Sequence, residues 1–249
     1  EDWSYVGIAP DWEYSSTDEY YRTRKDKSIE AKLSSKSRVD NAWLVGFYYA
    51  DKDEDLERFY TYSDIFSSQV QRQDSALFAH YKYVLSDTQW LTTSLRLASQ
   101  SFDYLDSKAI EQHLDHDDWG AELSYHQQVN TNTMLYLSGL RSYKMGGVNG
   151  QALSKAYDEG LESFQQILLD NPTFGAESLL GTEFGVKGTN TDGSLSIDFN
   201  VFYQWREDIQ YKNSFVQDQS FVDFYDNAAS GTNYGIETNI TAILSDDVD

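Results

Sequence analysis

The sequence predicts an all-β protein, an antiparallel transmembrane β-barrel of which this chain supplies roughly ten strands. Three observations lead to this class: long stretches of alternating apolar and polar residues, a regular succession of short and long connections, and an aromatic yet polar composition. The 249 residues include 19 Tyr, 13 Phe and 6 Trp, while the mean hydropathy is -0.61. Because no apolar run approaches the ~20 residues of a spanning helix, a membrane protein of this composition has to cross with strands.

The alternation is longest in the segment that begins at Ser194. One face would carry Leu195, Ile197, Phe199, Val201, Tyr203 and Trp205, and the other Ser196, Asp198, Asn200, Phe202, Gln204 and Arg206. Successive side chains of a strand point to opposite faces, and this run exceeds the ~5–6 residues of a globular strand and suits the ~9–11 of a tilted membrane strand. The same reasoning predicts strands at Ser28–Ser34, Trp43–Tyr49, Leu77–Leu85, Leu91–Leu97, Trp119–Tyr125, Thr133–Tyr143, Leu179–Gly188 and Tyr234–Ile240.

The connections between these strands alternate between short and long. Tight turns rich in Ser, Asn, Asp and Gly are predicted at 86–89, 130–132 and 189–193, and long loops at 51–75, 100–118, 144–178 and 208–232. Residues 151–169 are compatible with a short surface helix. Outer-membrane barrels have short periplasmic turns and long extracellular loops, so the strands beginning at Ala42, Trp90, Thr133 and Ser194 should run outward, and those beginning at Ala76, Trp119, Leu179 and Thr232 inward.

Four tryptophans lie near predicted strand ends, where an aromatic girdle would meet the membrane interface: Trp43, Trp90, Trp119 and Trp205. A simple preference of Trp for strands is the alternative explanation.

Composition and motifs exclude several function classes. The net charge of -22 argues against a nucleic-acid partner, and the absence of Cys excludes disulfides and thiolate chemistry. Nucleophile-elbow, zincin, dinucleotide-binding and P-loop motifs are missing, so we predict neither an enzyme nor a cofactor. The stretch His113–Asp118 is expected to be a solvated acidic loop rather than a metal site. The first residues lack the basic and apolar regions of a signal peptide.

Two cations on the phase that would face the barrel lumen are candidate ligand contacts. Arg96 is expected late on an outward strand and Arg206 just past mid-membrane; either could donate charge-assisted hydrogen bonds to an anionic chelate, or pair with an acid on a neighbouring strand. The phase of Arg141 is left open. Phe59, Tyr60 and Tyr62 could grip an apolar ligand or simply pack within their loop.

Three further stretches resemble the β-barrel region of TonB-dependent receptors of the iron-complex type. The first is Gly139–Asn149, with Tyr143, Lys144, Gly146, Gly147 and Asn149 at motif positions, although Ser142 replaces a Gly and Met145 a small residue. The second runs from Gly175 and contains Glu183, Gly185 and Lys187, with Ala176 in place of a Pro. The third leads from Asn227 to Gly235 and Glu237. In this order the stretches extend the resemblance over roughly 3–244.

The resemblance implies the β-barrel domain of a receptor with about 22 strands and an N-terminal plug. Residues 1–249 would be a fragment without the plug or the C-terminal strands, and Ser245–Asp249 a periplasmic turn. The implied location is the bacterial outer membrane, and the implied partners are a ferric chelate, the lipid bilayer and TonB through the missing plug. A passive porin or other structural barrel, and a soluble all-β carbohydrate-binding domain, are the alternatives.

Overall fold

The computed structural model describes residues 2–9, 12–36, 40–61, 64–217 and 220–243. In chain order its elements are β1 (Asp2–Ala9), β2 (Trp12–Ser34), β3 (Ala42–Tyr60), β4 (Phe66–Ser86), β5 (Gln89–Asp106), β6 (Glu111–Asn130), β7 (Thr133–Lys144), β8 (Gly147–Val148), α1 (Gly150–Asp158), α2 (Glu162–Asp170), β9 (Thr173–Phe174), β10 (Glu177–Thr189), β11 (Leu195–Glu207), β12 (Gln210–Gln217), β13 (Ser220–Asn227) and β14 (Ser230–Ala242).

Ten of these strands form one antiparallel sheet in the order β1-β2-β3-β4-β5-β6-β7-β10-β11-β14. The sheet is a meander, and its first and last strands are not paired with each other. The prediction of a partial antiparallel barrel is therefore confirmed, as are the three tight turns. β1 was not predicted, and the predicted turn at 245–249 lies outside the described residues.

The two faces of the sheet differ in chemistry. One face, the apolar face, leaves large hydrophobic side chains uncovered, among them Phe47, Leu77, Leu95, Leu123, Leu137, Val201 and Ile236. The alternate residues form the polar face, which carries groups such as His80, Arg96, Glu122, Glu183 and Asn200. An extended uncovered apolar surface is unfavourable in water but is required of a barrel wall that meets lipid.

The loops predicted at 51–75 and 100–118 are wrong, because both regions continue the strands. β2 to β6 are 18 to 23 residues long, about twice the membrane requirement. Their outer parts, residues 17–27, 51–60, 66–75, 99–106 and 111–117, form a surface that we call the upper wall. The alternation persists there, but polar residues such as Asp51, Ser99 and Asp117 replace the apolar ones, so a search for apolar alternation stops too early.

The tryptophan girdle is only partly as expected. Trp43 and Trp205 lie on the apolar face close to strand ends. Trp119 lies well inside β6, at the limit of its apolar stretch, rather than at a strand end. Trp90 belongs to the polar face, where its ring stacks on His126 at 5.1 Å, so its assignment to the girdle is wrong.

The loops predicted at 144–178 and 208–232 fold together into one unit, the cap, which comprises β8, α1, α2, β9 and the β12–β13 hairpin. The predicted helix is two helices, since Gly160 adopts a left-handed φ of 64° and ends the first one. A small core unites the cap: Ala152, Leu153, Ala156, Leu161, Phe164, Leu168 and Val222. Neither α1 nor α2 has the length and apolarity needed to cross a membrane, and no other helix occurs in the described part of the chain.

Side-chain amides fasten the cap segments to each other. The Asn149 amide donates to the Tyr225 carbonyl at 2.8 Å and accepts from the Tyr225 amide at 2.9 Å, so it mimics a strand pair. Asn227 accepts from the Gly175 amide at 2.7 Å, and Gln210 donates to the Met145 carbonyl at 2.7 Å. Because these bonds replace backbone partners that irregular segments lack, the loops form one ordered body.

Candidate functional site

Arg96 lies on the polar face among aromatic rings. Its Nε donates to the Tyr143 hydroxyl at 3.2 Å, and its guanidinium is 5.7 Å from the Tyr48 ring centroid and 5.9 Å from that of Phe78. Among the described residues Arg96 forms no ion pair. A guanidinium held by ring faces keeps its charge and several donors available to a ligand.

The surroundings of Arg96 form a hollow of about 400 Å³, whose polar-face lining includes His80, Ser94 and Glu122. Arg96 was expected late in its strand; because β5 continues to Asp106, it instead lies in mid-strand. It is nevertheless near the outer limit of the membrane-spanning part, since Leu97 is followed on the apolar face by Ser99 and Ser101.

Gly46 makes room for the ring beneath Arg96. A Cβ at Gly46 would overlap the Phe78 ring and lie 3.0 Å from the Ala31 carbonyl oxygen. We expect Gly46→Ala to destabilise the fold by about 1–3 kcal/mol, the cost of overpacking, measured by thermal unfolding in detergent. Gly188→Ala is the control, because the nearest atoms to its Cβ are 3.8 Å away. Equal melting temperatures for the two variants would contradict the packing of Phe78 over Gly46.

Arg206 forms an ion pair with Glu177. Its Nε donates to Glu177 at 2.7 Å, and its Nη2 donates to the same carboxylate oxygen. Glu177 is buried, and it also accepts a hydrogen bond from the Gln210 backbone amide at 3.0 Å. Arg206 is the penultimate residue of β11, so its expected place just past mid-membrane is wrong.

Arg141 lies on the apolar phase, opposite Ala121 and Leu180 in the two ladders. Its guanidinium is 4.5 Å from the Trp119 ring centroid and donates to Asp118 at 2.7 Å. Its guanidinium is therefore engaged at the outer edge of the apolar band, while the residue itself borders the hollow around Arg96.

Charge is divided between the faces of the upper wall in β2, β3 and β4. On the polar phase, cations and acids nearly balance: Arg22, Arg24, Lys52, Arg58 and Arg72 against Asp18, Asp26, Glu54 and Asp74. On the opposite phase acids dominate, with Glu19, Asp51, Asp53, Asp55 and Glu57 against Lys25 and Lys27. The chain as a whole has a net charge of -22. The polar phase, which forms the inner, lumen-facing surface of the upper wall, therefore repels an anion less than the opposite surface does.

Arg58 anchors the outermost part of this wall. Both its Nε and its Nη2 donate to Asp18 at 2.7 Å, and its guanidinium lies 5.2 Å from the Tyr20 ring and 5.3 Å from the Tyr60 ring. The hydrogen bonds from Arg58 lower the pKa of the Asp18 carboxyl. Phe59 packs edge-on against Tyr21 at 5.5 Å, while Tyr62 lies outside the described residues.

The remaining motif positions support the wall and the cap. Glu183 accepts from the Tyr136 hydroxyl and, at 3.4 Å, from the Asn200 amide, which also donates to Glu237 at 3.3 Å. Gly185 and Gly235 lie beneath the rings of Tyr136 and Phe202, and Gly147 beneath that of Phe174. A Cβ at Gly146 would overlap the Phe174 carbonyl oxygen, and Lys187 pairs with Asp198 at 3.2 Å. Lys144 is exposed at the end of β7.

The stretch His113–Asp118 is part of β6, so the expectation of an acidic loop is wrong. His113 bonds Asp103 at 2.6 Å and Asp115 at 3.1 Å. These hydrogen bonds raise the pKa of His113 above its usual value. No group of His, Asp and Glu within the described ranges has a geometry that could hold a metal ion.

Long strands in a meander, with one face apolar and uncovered and the other polar and charged, are the features of the wall of an outer-membrane β-barrel. Residues 2–245 match the family model described as TonB dependent receptor-like, beta-barrel. The chain therefore belongs to the TonB-dependent receptor β-barrel family, a family of receptors whose barrels lie in the bacterial outer membrane.

Solved structures with the same fold include the ferric yersiniabactin uptake receptor FyuA from Yersinia pestis, at 14% identity and a TM-score of 0.66, covering 98% of this chain and 36% of that one. The ferripyoverdine receptor of Pseudomonas aeruginosa is 12% identical with a TM-score of 0.66, and the match covers 96% of this chain and 34% of that one. The copper transporter OprC is 10% identical with a TM-score of 0.66, and the match covers 94% of this chain and 37% of that one. The chain thus spans about a third of the length of each. No curated protein sequence matches it.

These similarities establish the fold of the chain but do not identify the transported ligand, because two of these proteins are named for ferric complexes and one for copper. Sequence reasoning found Arg96 through its phase, but it missed the rings of Tyr48, Phe78 and Tyr143 around it. Tyr48 and Phe78 lie on other strands, and the register brings them beside Arg96. Tyr143 reaches Arg96 from a third strand through its hydroxyl.

Proposed function

We propose that the chain is part of a receptor for the energised uptake of a bulky nutrient, an iron–siderophore complex, across the outer membrane. The observation that carries the proposal is Arg96, a cation without an ion-pair partner among the described residues, which faces the lumen beside a hollow of about 400 Å³. An anionic ferric chelate entering from outside would meet the less acidic inner surface of the upper wall and then this guanidinium.

Arg206 is the second proposed ligand contact. Its side chain is 40% exposed, and a guanidinium has five N–H donors, so donors remain beyond those bonded to Glu177. Transport would require a plug domain and its TonB partner, since a wall with fixed strand ladders has no element that could couple binding to an energy source.

Uptake is tested in cells that carry the full-length receptor gene or its deletion, grown on limiting iron with ferric citrate or a ferric tris-catecholate as the only iron source. We expect growth and radioactive iron accumulation that depend on the gene and stop when an uncoupler collapses the proton-motive force. Accumulation that survives the uncoupler would instead favour a passive porin, the alternative considered from the sequence.

Replacing Arg96 tests its role as a ligand contact. Arg96→Gln is expected to weaken binding of the transported chelate about tenfold or more, since a charge-assisted hydrogen bond is lost, and Arg96→Lys should recover part of the affinity. Binding is measured by tryptophan fluorescence of the purified receptor. Unchanged affinity in Arg96→Gln, at an unchanged melting temperature, would remove Arg96 from the site.

A further inference from the structure

The barrel wall differs in height on the two sides of β6. On one side, β6 pairs with β5 from Glu111 inward. On the other side, its ladder with β7 reaches outward only as far as the pair of Ala121 with Arg141. Above that pair β7 ends and the chain enters the cap, where β8 pairs with β9 and not with β6. The outer part of β6, residues 111–117, therefore has a neighbouring strand on one side only. We call the other side the free edge.

The direction of the backbone groups shows which residues face the free edge. Successive residues of a strand bond to opposite sides. The Gln128 amide donates to the Thr88 carbonyl at 2.8 Å, and the Ile110 carbonyl accepts from the Asp106 amide at 3.2 Å. The even-numbered residues of this strand thus bond towards β5. The residues whose amides and carbonyls face the free edge are Glu111, His113, Asp115 and Asp117.

Trp119 shows how the edge is closed at the point where β7 departs. Its amide donates to Asp118 Oδ1 at 2.8 Å, and its carbonyl accepts from Arg141 Nη1. Two side chains thus replace the missing strand at this residue. Within the described structure no group does the same for residues 111–117, so their backbone groups remain available. A row of unpaired amides and carbonyls is a template for a further strand.

The side chains beside the free edge are acidic. The same four residues point their side chains to the exposed outer face of the wall, and three of them are carboxylates. His113 bonds Asp115 at 3.1 Å, whereas Glu111 and Asp117 form no ion pair among the described residues. Residues directly opposite each other in antiparallel strands have Cβ atoms about 4.5–5.5 Å apart. An added strand with a cation at every second position would therefore place one beside each acid.

We propose that the free edge of β6 binds an extended, basic segment of a partner protein by strand addition outside the cell. The segment runs antiparallel to β6, the slightly more stable arrangement, with alternate cationic side chains opposite the acids. A second copy of this chain is less suited, because two β6 edges would bring acid against acid. The inference goes beyond the proposed transport function, since it uses the outer rim of the wall and neither the lumen nor the cap.

The test is the change in fluorescence anisotropy of labelled peptides titrated with the full-length receptor in detergent. The probe is an octapeptide of four Lys-Thr repeats, and two backbone N-methylated forms keep all of its charges. Opposite the acids, the lysine amides would face β6 and the threonine amides would face away. N-methylation of the lysines should weaken binding at least about tenfold, and N-methylation of the threonines less than about threefold. Equal affinities of the two methylated peptides, or no binding of the unmodified one, overturns the proposal.

Asp115→Pro tests the edge on the receptor. It removes an amide hydrogen from the middle of the free edge, and because that amide does not bond to β5, the melting temperature should not change. We expect it to weaken binding of the unmodified peptide about tenfold or more, whereas Asp115→Asn, which loses the charge but keeps the amide, should weaken binding about threefold. Equal affinities of the two variants would mean that charge alone attracts the peptide, which overturns strand addition.

The place of the charge is tested by a matched pair of substitutions. Asp117→Lys should weaken binding about tenfold. Asp55→Lys makes the same change on the outer face of β3, which has a strand on both sides, and should alter binding less than about twofold. Equal weakening by both overturns the assignment to the free edge. Sedimentation of the receptor alone tests the other occupant: a dimer that Asp115→Pro dissociates would assign the edge to a second copy and overturn the basic partner.

Discussion

Val201→Arg is expected to destabilise the folded barrel by about 2–4 kcal/mol, the cost of placing Arg near the bilayer midplane on a lipid-facing strand position. Val201 lies near the middle of β11 on the apolar face, opposite Phe184 in one ladder and Ile236 in the other. No acid lies on that face beside it in either neighbouring strand, so the guanidinium would meet hydrocarbon without a counter-charge.

Asn200→Arg is the matched control, one residue away on the polar face. The Asn200 amide already lies 3.4 Å from a Glu183 oxygen and 3.3 Å from a Glu237 oxygen, so a guanidinium there would have two carboxylates within reach. We expect a change within about 0.5 kcal/mol. Unfolding in lipid vesicles, followed by the mobility shift between folded and unfolded barrels on gels, measures both variants. Equal losses would mean that the two faces are wrongly assigned.

The membrane-spanning part of the fold was predictable because lipid imposes a strict rule on alternate residues. In β11 every second residue from Leu195 to Trp205 is apolar. The strand begins at the first residue of this run and ends two residues after its last one. Beyond the apolar band the rule no longer applies. β3 and β4 continue as polar strands there, stabilised by cross-strand ion pairs such as Lys52 with Asp74. In the sequence alone, neither Lys52 nor Asp74 indicates that its segment is a strand.

The two candidate sites also differ in whether the sequence alone could indicate them. Arg96 could be found from its phase, since a cation on the lumen side of a predicted strand is informative by itself. The cavity of about 610 Å³ between the cap and the upper wall could not be found in this way, because it joins Arg58 of the wall to Lys155 of a helix about a hundred residues later. The contact depends on Gly150, which lies against the Tyr104 ring where α1 begins. Such a contact follows from packing between distant segments, for which the chain carries no periodic signal.

Leu168→Ala is expected to weaken the cap by about 2–5 kcal/mol, the range for truncating a buried leucine. Leu168 is 1% exposed in the cap core, one helical turn after Phe164, whose ring stacks on Phe215 at 4.5 Å. The core is small, so losing this side chain removes a large share of what holds α1, α2 and the β12–β13 hairpin together. The barrel strands have their own ladders, and their unfolding transition should not change.

Trypsin reports the opening of the cap, because Lys155 lies in α1 and is cleaved only when that helix unfolds locally. A loss of 2 kcal/mol raises the open population, and with it the cleavage rate, about 30-fold. Leu169→Ala is the matched control: the side chain is the same and adjacent, but it is 49% exposed, so cleavage should stay within about twofold of the parent protein. If Leu168→Ala and Leu169→Ala are cleaved at the same rate, α2 does not contribute a buried face and the cap is not a cooperative unit. A rate that rises only for Leu168→Ala establishes that the cap opens independently of the wall.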